Sequence, residues 1–269
     1  MVSILEYEKA RRLGVPGSSI IFNGPHKLLP ALRRAATEGA IINIDHFDEL
    51  TDLEQVAEEL GQVIPVGIRV NLDSGIEPRW GRFGFTLETG QAMDAVRRIK
   101  AGMREGKGLR LCGLHCHIGT FILDPNAYRQ AVEKLVRFGY AIQEECGFEM
   151  EYLDLGGGFP SKSRLKAFGM APTCHIPIME QYAQAIGEGL AMALRPGHEP
   201  QLFLESGRAL IDEAGYLITT CHARKRLPDG RRGYILDAGI NLLYTSTWYQ
   251  PEIELEQEAH GMPEPSVLH

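Results

Sequence analysis

The sequence predicts an α/β fold: an incomplete (β/α)8 TIM-type barrel with about six of eight strands, followed by the start of a β-rich C-terminal domain. Three observations predict it. Short apolar runs alternate with helical periods and glycines from residue 19 to residue 207. The runs show little polar alternation, as strands covered on both faces do. After Gly215 the pattern changes to two β-rich stretches around a Pro-Asp-Gly turn, which is antiparallel grammar. The boundaries drawn are 1–210 for the partial barrel and 211–269 for the beginning of the second domain.

The elements follow in order. Ser3 and Glu6 form an S-x-x-E capping box for a first helix in "SILEYEKARRLG". "SIIFNG" (19–24) reads as a strand, and "HKLLPALRRAATEG" as the helix that Gly39 closes. "AIINID" (40–45) precedes the helix "FDELTDLEQVAEELG". "PVGIRV" (65–70) leads through a long loop to "TGQAMDAVRRIKAGMREG". "RLCGLHCHIG" (110–119) precedes "PNAYRQAVEKLVRFGYAIQEECG", and "EYLDLGGG" (151–158) precedes "IPIMEQYAQAIGEGLAMAL". "QLFLESG" (201–207) is the sixth strand.

Bulk properties exclude several classes. A chain of 269 residues suffices for one large domain, or one domain with part of a second. The net charge of −7 argues against non-specific nucleic-acid or anionic-membrane binding. The densest basic run, "HARKRLPDGRR", reads as a solvated hairpin. Five cysteines, an odd count without a CxxC pair, argue against a disulfide framework and a zinc ribbon. A reducing, cytoplasmic compartment is the expectation. No long uncharged apolar run or signal-like start is present.

The chemistry-bearing segments begin with "GLHCHIGT" (113–120). On a strand, His115 and His117 would share one face and Cys116 the other. Three readings stand: buried histidines bonded to backbone, an HxH metal pair as in metal-dependent hydrolase barrels, or a cofactor site. Zinc needs at least three protein ligands, and Asp45, Asp154 and Glu205 at other strand ends leave that reading open. "LDLGGGFP" (153–160) ends a strand in three glycines, either a tight turn or a loop offering amides to an anion. "LESGR" (204–208) puts Glu205, Gly207 and Arg208 at another strand end, where active sites of this architecture lie. A surface ion pair is the plainer reading of that segment. Thr120 adds a hydroxyl. Together the glycine amides, Thr120 and Arg208 would hold a phosphate, Glu205 would keep a ring nitrogen protonated, and an imidazole would stack. Those are the needs of pyridoxal 5'-phosphate. No metal is assigned.

In "VSILE", "IIFNGPHK", "IINIDHFDEL", "GIRVN", "GRFGF", "GLHCHIGT", "YLDLGGGFP", "ESGRAL" and "DAG" the sequence resembles the barrel-type pyridoxal-phosphate decarboxylases of the ornithine and diaminopimelate decarboxylase group, relatives of alanine racemase. The motifs run in family order through nearly the whole chain. The resemblance implies decarboxylation of an amino acid. It gives His117 the stacking role, Thr120 the place of a phosphate-binding serine, and Gly156, Gly157 and Gly158 the phosphate loop. Glu205 becomes the partner of the pyridine nitrogen, Gly207 and Arg208 a further phosphate contact, and Arg69 a barrel arginine near the cofactor. His115 takes no family role.

Departures set further expectations. The family's cofactor-binding lysine lies on the strand before "VSILE", so the chain reads as a fragment that does not turn over alone. Lys27, read as lying in the first turn of a helix, is no substitute. Thr245 stands where diaminopimelate enzymes carry an arginine, and Ser206 where the family usually has proline. Those two positions argue for another amino acid, free or carrier-tethered. A homodimer is the expected state of the parent protein. A metal-dependent hydrolase using His115 and His117, and a non-catalytic cofactor-binding relative, are the alternatives.

Overall fold

A computed structural model describes residues 1–162, 164–165, 175–212, 214–247, 249–250 and 266–268. The chain divides into two compact units, Met1–Phe159 with Pro177–Gly207, and Pro160–Ile176 with Arg208–His269.

In the first unit, helix α1 (Ile4–Arg12) starts at the expected capping box: Ser3 Oγ accepts the Glu6 N–H at 3.3 Å, and Glu6 Oε2 accepts the Ser3 N–H at 3.2 Å. Strand β1 (Ile21–Phe22), helix α2 (Leu29–Thr37), strand β2 (Ile41–Ile44) and helix α3 (Phe47–Leu60) follow. The α3 N-terminus is capped by His46 Nδ1, and Gly61, at φ +61°, ends the helix. Its Leu50, Leu53, Val56 and Ala57 recur at helical spacing and are all buried. Strand β3 (Val63–Asn71) is the longest. Within the loop expected after it lies a two-residue strand, β4 (Phe85–Thr86), paired parallel with the end of β3. Helix α4 (Gln91–Gly102), strand β5 (Gly108–His115), helix α5 (Pro125–Cys146) and strand β6 (Tyr152–Asp154) complete the next two βα steps. The second unit contributes β7 (Arg164–Leu165), and the first resumes with α6 (Met179–Ala193) and β8 (Gln201–Phe203).

All six expected barrel strands are present and parallel, in the order β1-β2-β3-β5-β6-β8. Asn23, just past β1, donates through Nδ2 to Glu205 Oε1, just past β8. A hydrogen bond between the two ends of the strand path requires the sheet to curl as a barrel wall does.

Register sets the interior. Tyr152 pairs with Gly113, and Gly113 with Gly67, so these residues form one layer across three strands. The Tyr152 ring lies along the two glycines and donates its hydroxyl to Asn43 Oδ1 at 2.7 Å. A Cβ at Gly113 would fall inside that ring. Two residues further along, Arg69, His115 and Asp154 pair in turn and make the next layer.

The second unit also holds α7 (Arg208–Ile211), β9 (Cys221–Arg226), β10 (Arg232–Leu236), β11 (Tyr249–Gln250) and β12 (Ser266–Leu268). β9 and β10 are antiparallel around Gly230, at φ +87°, as the Pro-Asp-Gly turn predicts. The basic run lies on this hairpin, and every residue of β9 is exposed. β12 adds to β10 in parallel, and β7 pairs with β11. Among the described residues, Cys112, Cys116, Cys146 and Cys221 are free thiols; Cys174 lies outside them. No described helix is long and apolar enough to cross a membrane.

Candidate functional site

Parallel strands bring their carboxyl ends to one rim. β5 ends at His115, and only the Cys116 N–H still bonds β6, at Asp154 O, so the strand period linking His115 to His117 is not continued. His117 Nδ1 accepts the Gly157 N–H at 3.2 Å. Burial, and then the Arg69 charge, push His117 down to about 4, so its ring is neutral at neutral pH. The Trp80 ring meets it edge-on at 6.2 Å.

The three glycines are required by close approach. Gly156 and Gly158 have φ of +63° and +99°. A Cβ would lie 2.6 Å from Cys116 O at Gly156 and 2.5 Å from Glu205 O at Gly157, and it would overlap Gly119 O at Gly158. Backbone packing of the β5 and β8 ends against this loop therefore excludes side chains. Two of the amides already have protein partners: Gly156 N–H donates to Asp154 Oδ1 at 2.9 Å, and Gly157 N–H to His117. The Gly158 N–H has no partner among the described residues. The loop is thus a tight turn that leaves one of its three amides, that of Gly158, unclaimed by the described residues. Tyr128 OH secures it by donating to Gly157 O at 2.8 Å.

Glu205 joins the same cluster, since its N–H donates to Gly156 O at 2.8 Å while its carboxylate accepts from Asn23. Glu205, Gly157 and His117 are brought together. Thr120 is exposed on the loop next to Gly119, whose carbonyl abuts Gly158. Arg69 is buried, 3.6 Å from Asp45 Oδ1, with its guanidinium 5.0 Å above the Phe83 ring. Gly207 has open space where a Cβ would go, so packing does not require a glycine there. Arg208 opens α7 in the second unit. Thr245 falls in a 3₁₀ turn, Tyr244–Thr247.

Lys27 precedes α2, which begins at Leu29, and so does not lie in its first turn. It is buried against Glu49 and donates to Gly24 O at 2.5 Å. Burial lowers its ammonium against the pull of Glu49.

Sequence reasoning gave no role to Asn23 and brought in His115 and Asp154 only for the alternative metal reading. His115, Asp154 and Glu205 each present an atom within 4.8 Å of the other two. His117 is not in that group, so the HxH pair does not converge on one ion position. The β5–β6 register could have placed Asp154 beside His115. Asn23 could be found only from the curl of the sheet.

A family profile described as "Pyridoxal-dependent decarboxylase, pyridoxal binding domain" matches residues 1–212. The chain is similar to the diaminopimelate decarboxylase of Bacillus subtilis (strain 168), with 29% identity over 267 residues, 94% of this chain and 58% of that one. It is 30% identical to that of Actinosynnema pretiosum over 233 residues, 81% and 48% of the two chains. Among solved structures, the M. jannaschii diaminopimelate decarboxylase has a TM-score of 0.77 at 29% identity, covering 90% of this chain and 55% of that one. The Helicobacter pylori enzyme complexed with L-lysine has a TM-score of 0.76 at 26% identity, covering 92% and 59%. The chain spans about half the length of the curated relatives it matches. Since the matched residues are the whole curled sheet and the rim just described, the chain belongs to the pyridoxal-dependent decarboxylases, and the cofactor of its barrel is pyridoxal 5'-phosphate.

Proposed function

We propose that this chain supplies the cofactor-binding part of an enzyme that removes the α-carboxylate of an amino acid. The observation that carries the reading is the meeting of Glu205, the glycine loop and His117 through two backbone-donated hydrogen bonds, of 2.8 and 3.2 Å. The donor set fits the cofactor: a carboxylate for a ring nitrogen, a neutral imidazole face, and an unpartnered amide at Gly158 for a phosphate oxygen.

Glu205, oriented by Asn23, would accept a hydrogen bond from the protonated ring nitrogen and so hold that proton on the ring. His117, fixed by the Gly157 N–H, would offer its ring face for stacking. The Gly158 amide and the Thr120 hydroxyl would receive the phosphate, with Gly207 assigned to it from the sequence motif. Arg69, positioned by Asp45, lends positive charge to the rim. When bound, pyridoxal phosphate supplies an electron-withdrawing ring that takes up the electron pair left as carbon dioxide departs.

The named relatives are diaminopimelate decarboxylases, but Ser206 and Thr245 replace family residues. The reading therefore favours ornithine, lysine or a carrier-tethered amino acid over diaminopimelate. A homodimer is the proposed assembly, checked by light scattering. Carbon dioxide release from carboxyl-labelled ornithine, lysine and diaminopimelate, measured on the cofactor-loaded full-length parent protein, tests the activity. Glu205→Gln should lower it by about 100-fold or more while the cofactor absorbance band persists. Unchanged turnover removes Glu205 from its role, and absence of any cofactor band removes the proposal.

A further inference from the structure

Asp154 closes β6 at the bottom of the rim and is fully buried. Its Oδ1 accepts the Gly156 N–H at 2.9 Å, and its Oδ2 faces the Asn43 Nδ2 at 3.4 Å. Asn43 is itself fixed by the Tyr152 hydroxyl. Glu205 lies on the other side, its Oε1 taken by Asn23. His115 completes the group and is 1% exposed, and neither of its ring nitrogens has a hydrogen-bond partner.

Two carboxyl groups at this separation, away from water, do not both ionise, because each raises the cost of the other's charge. The environment decides which keeps the proton. Asp154 is the more deeply buried of the two; Glu205 is partly exposed and has an amide donor on one oxygen. Burial first, and the Glu205 charge second, push Asp154 up to about 8. The other groups facing the pair are His115 and Cys116 at the end of β5, Arg69 on β3, and the N-terminal amine. Burial, with Arg69 adding to it, keeps His115 neutral. A metal ion would need carboxylate oxygens that are already accepting hydrogen bonds from Gly156, Asn43 and Asn23.

We propose that Asp154 is a positioning residue that stands as a neutral acid and shares its proton with Glu205, leaving Glu205 as the single anion offered to the cofactor's ring nitrogen. The role rests on the proposed placement of that nitrogen at Glu205. It accounts for the buried pair, which would otherwise hold two negative charges against one ring cation. The third member, His115, is a neutral spacer that keeps water from the shared proton.

The test has two parts. In the cofactor-free chain at pH 7, the infrared spectrum should contain a protonated carboxylic-acid carbonyl band that is missing from Asp154→Asn and titrates away near pH 8. Asparagine keeps a carbonyl for Gly156 and an N–H for Glu205, and gives up only the 3.4 Å contact with Asn43 Nδ2. In fluorescence titrations with pyridoxal phosphate, Asp154→Asn should therefore bind within about threefold of the parent, whereas Asp154→Val should bind about tenfold or more weakly. Circular dichroism of each variant checks folding, and the asparagine variant carries the test if the valine variant does not fold. Absence of the infrared band, or equal weakening by asparagine and valine, overturns the proposal. One-to-one zinc binding that removes the band and is lost in His115→Ala overturns it in favour of a metal centre. If the parent chain binds no pyridoxal phosphate, the placement of the ring nitrogen fails, while the infrared result still decides the charge state of Asp154.

Discussion

Two adjacent layers of the same barrel interior are built by opposite rules. The layer of Gly67, Gly113 and Tyr152 is dry and satisfied. One large side chain lies where two glycines leave room, and its only polar atom bonds Asn43. The layer of Arg69, His115 and Asp154, one side-chain repeat nearer the rim, is charged and only partly satisfied. Arg69 stands 3.6 Å from its counter-ion, Asp45 Oδ1 is left without a hydrogen bond, and both His115 nitrogens are orphaned. The first arrangement contributes stability. The second costs stability, as buried unsatisfied polar groups do, and such a cost is typical of a site prepared for something that binds there. A step of two residues along each strand separates scaffold from chemistry.

Substitutions can separate the two rules. The largest effect is expected from Gly113→Ala. The new methyl collides with the Tyr152 ring and dislodges it from Asn43, destabilising the chain by about 3 kcal/mol in urea unfolding. The next involves pH and belongs to the rim. His117 titrates near 4 when folded against 6.5 unfolded, so its contribution is present above pH 6.5 and is lost as pH falls toward 4. Between pH 7.5 and 4.5 the parent should lose roughly 2–3 kcal/mol more than His117→Asn. Asp154, shifted the opposite way, loses stability as pH rises from about 4 to 8, and it acts on both proteins alike. His115→Leu replaces an unsatisfied ring with an apolar side chain and should stabilise the chain by about 1–2 kcal/mol. A loss instead would mean that His115 has a partner. Tyr152→Phe is the mildest: it removes one buried hydrogen bond and costs about 1 kcal/mol.

The sheet was legible because its signals are local. "AIINID" and "RLCGLHCHIG" are apolar without alternation, and burial on both faces is the physical reason. The Pro-Asp-Gly hairpin followed from the backbone its turn demands. Strand β4 was not legible, since two residues within a loop carry no period. At the site, His117, Glu205 and the triple glycine stand in short motifs and were found together. The role of the glycines was only half read: composition suggests free amides, but Asp154 and His117 claim two of the three. Asp154 and His115 become neighbours only through β5–β6 register, and Asn23 meets Glu205 only because the sheet curls. Pairings between strands are properties of three dimensions, and no window along the chain contains them.

The Tyr152 ring lying across Gly113 and Gly67 imposes an exchange rule on sequence variation. Bulk may move among these three positions but cannot be added to their sum. A homologue with valine or leucine at 113 must carry a small residue at 152, and the asparagine at 43 then has no phenol to bond and should change with it. Drift at the base of the barrel thus proceeds by compensated steps, leaving the rim above it at a constant height.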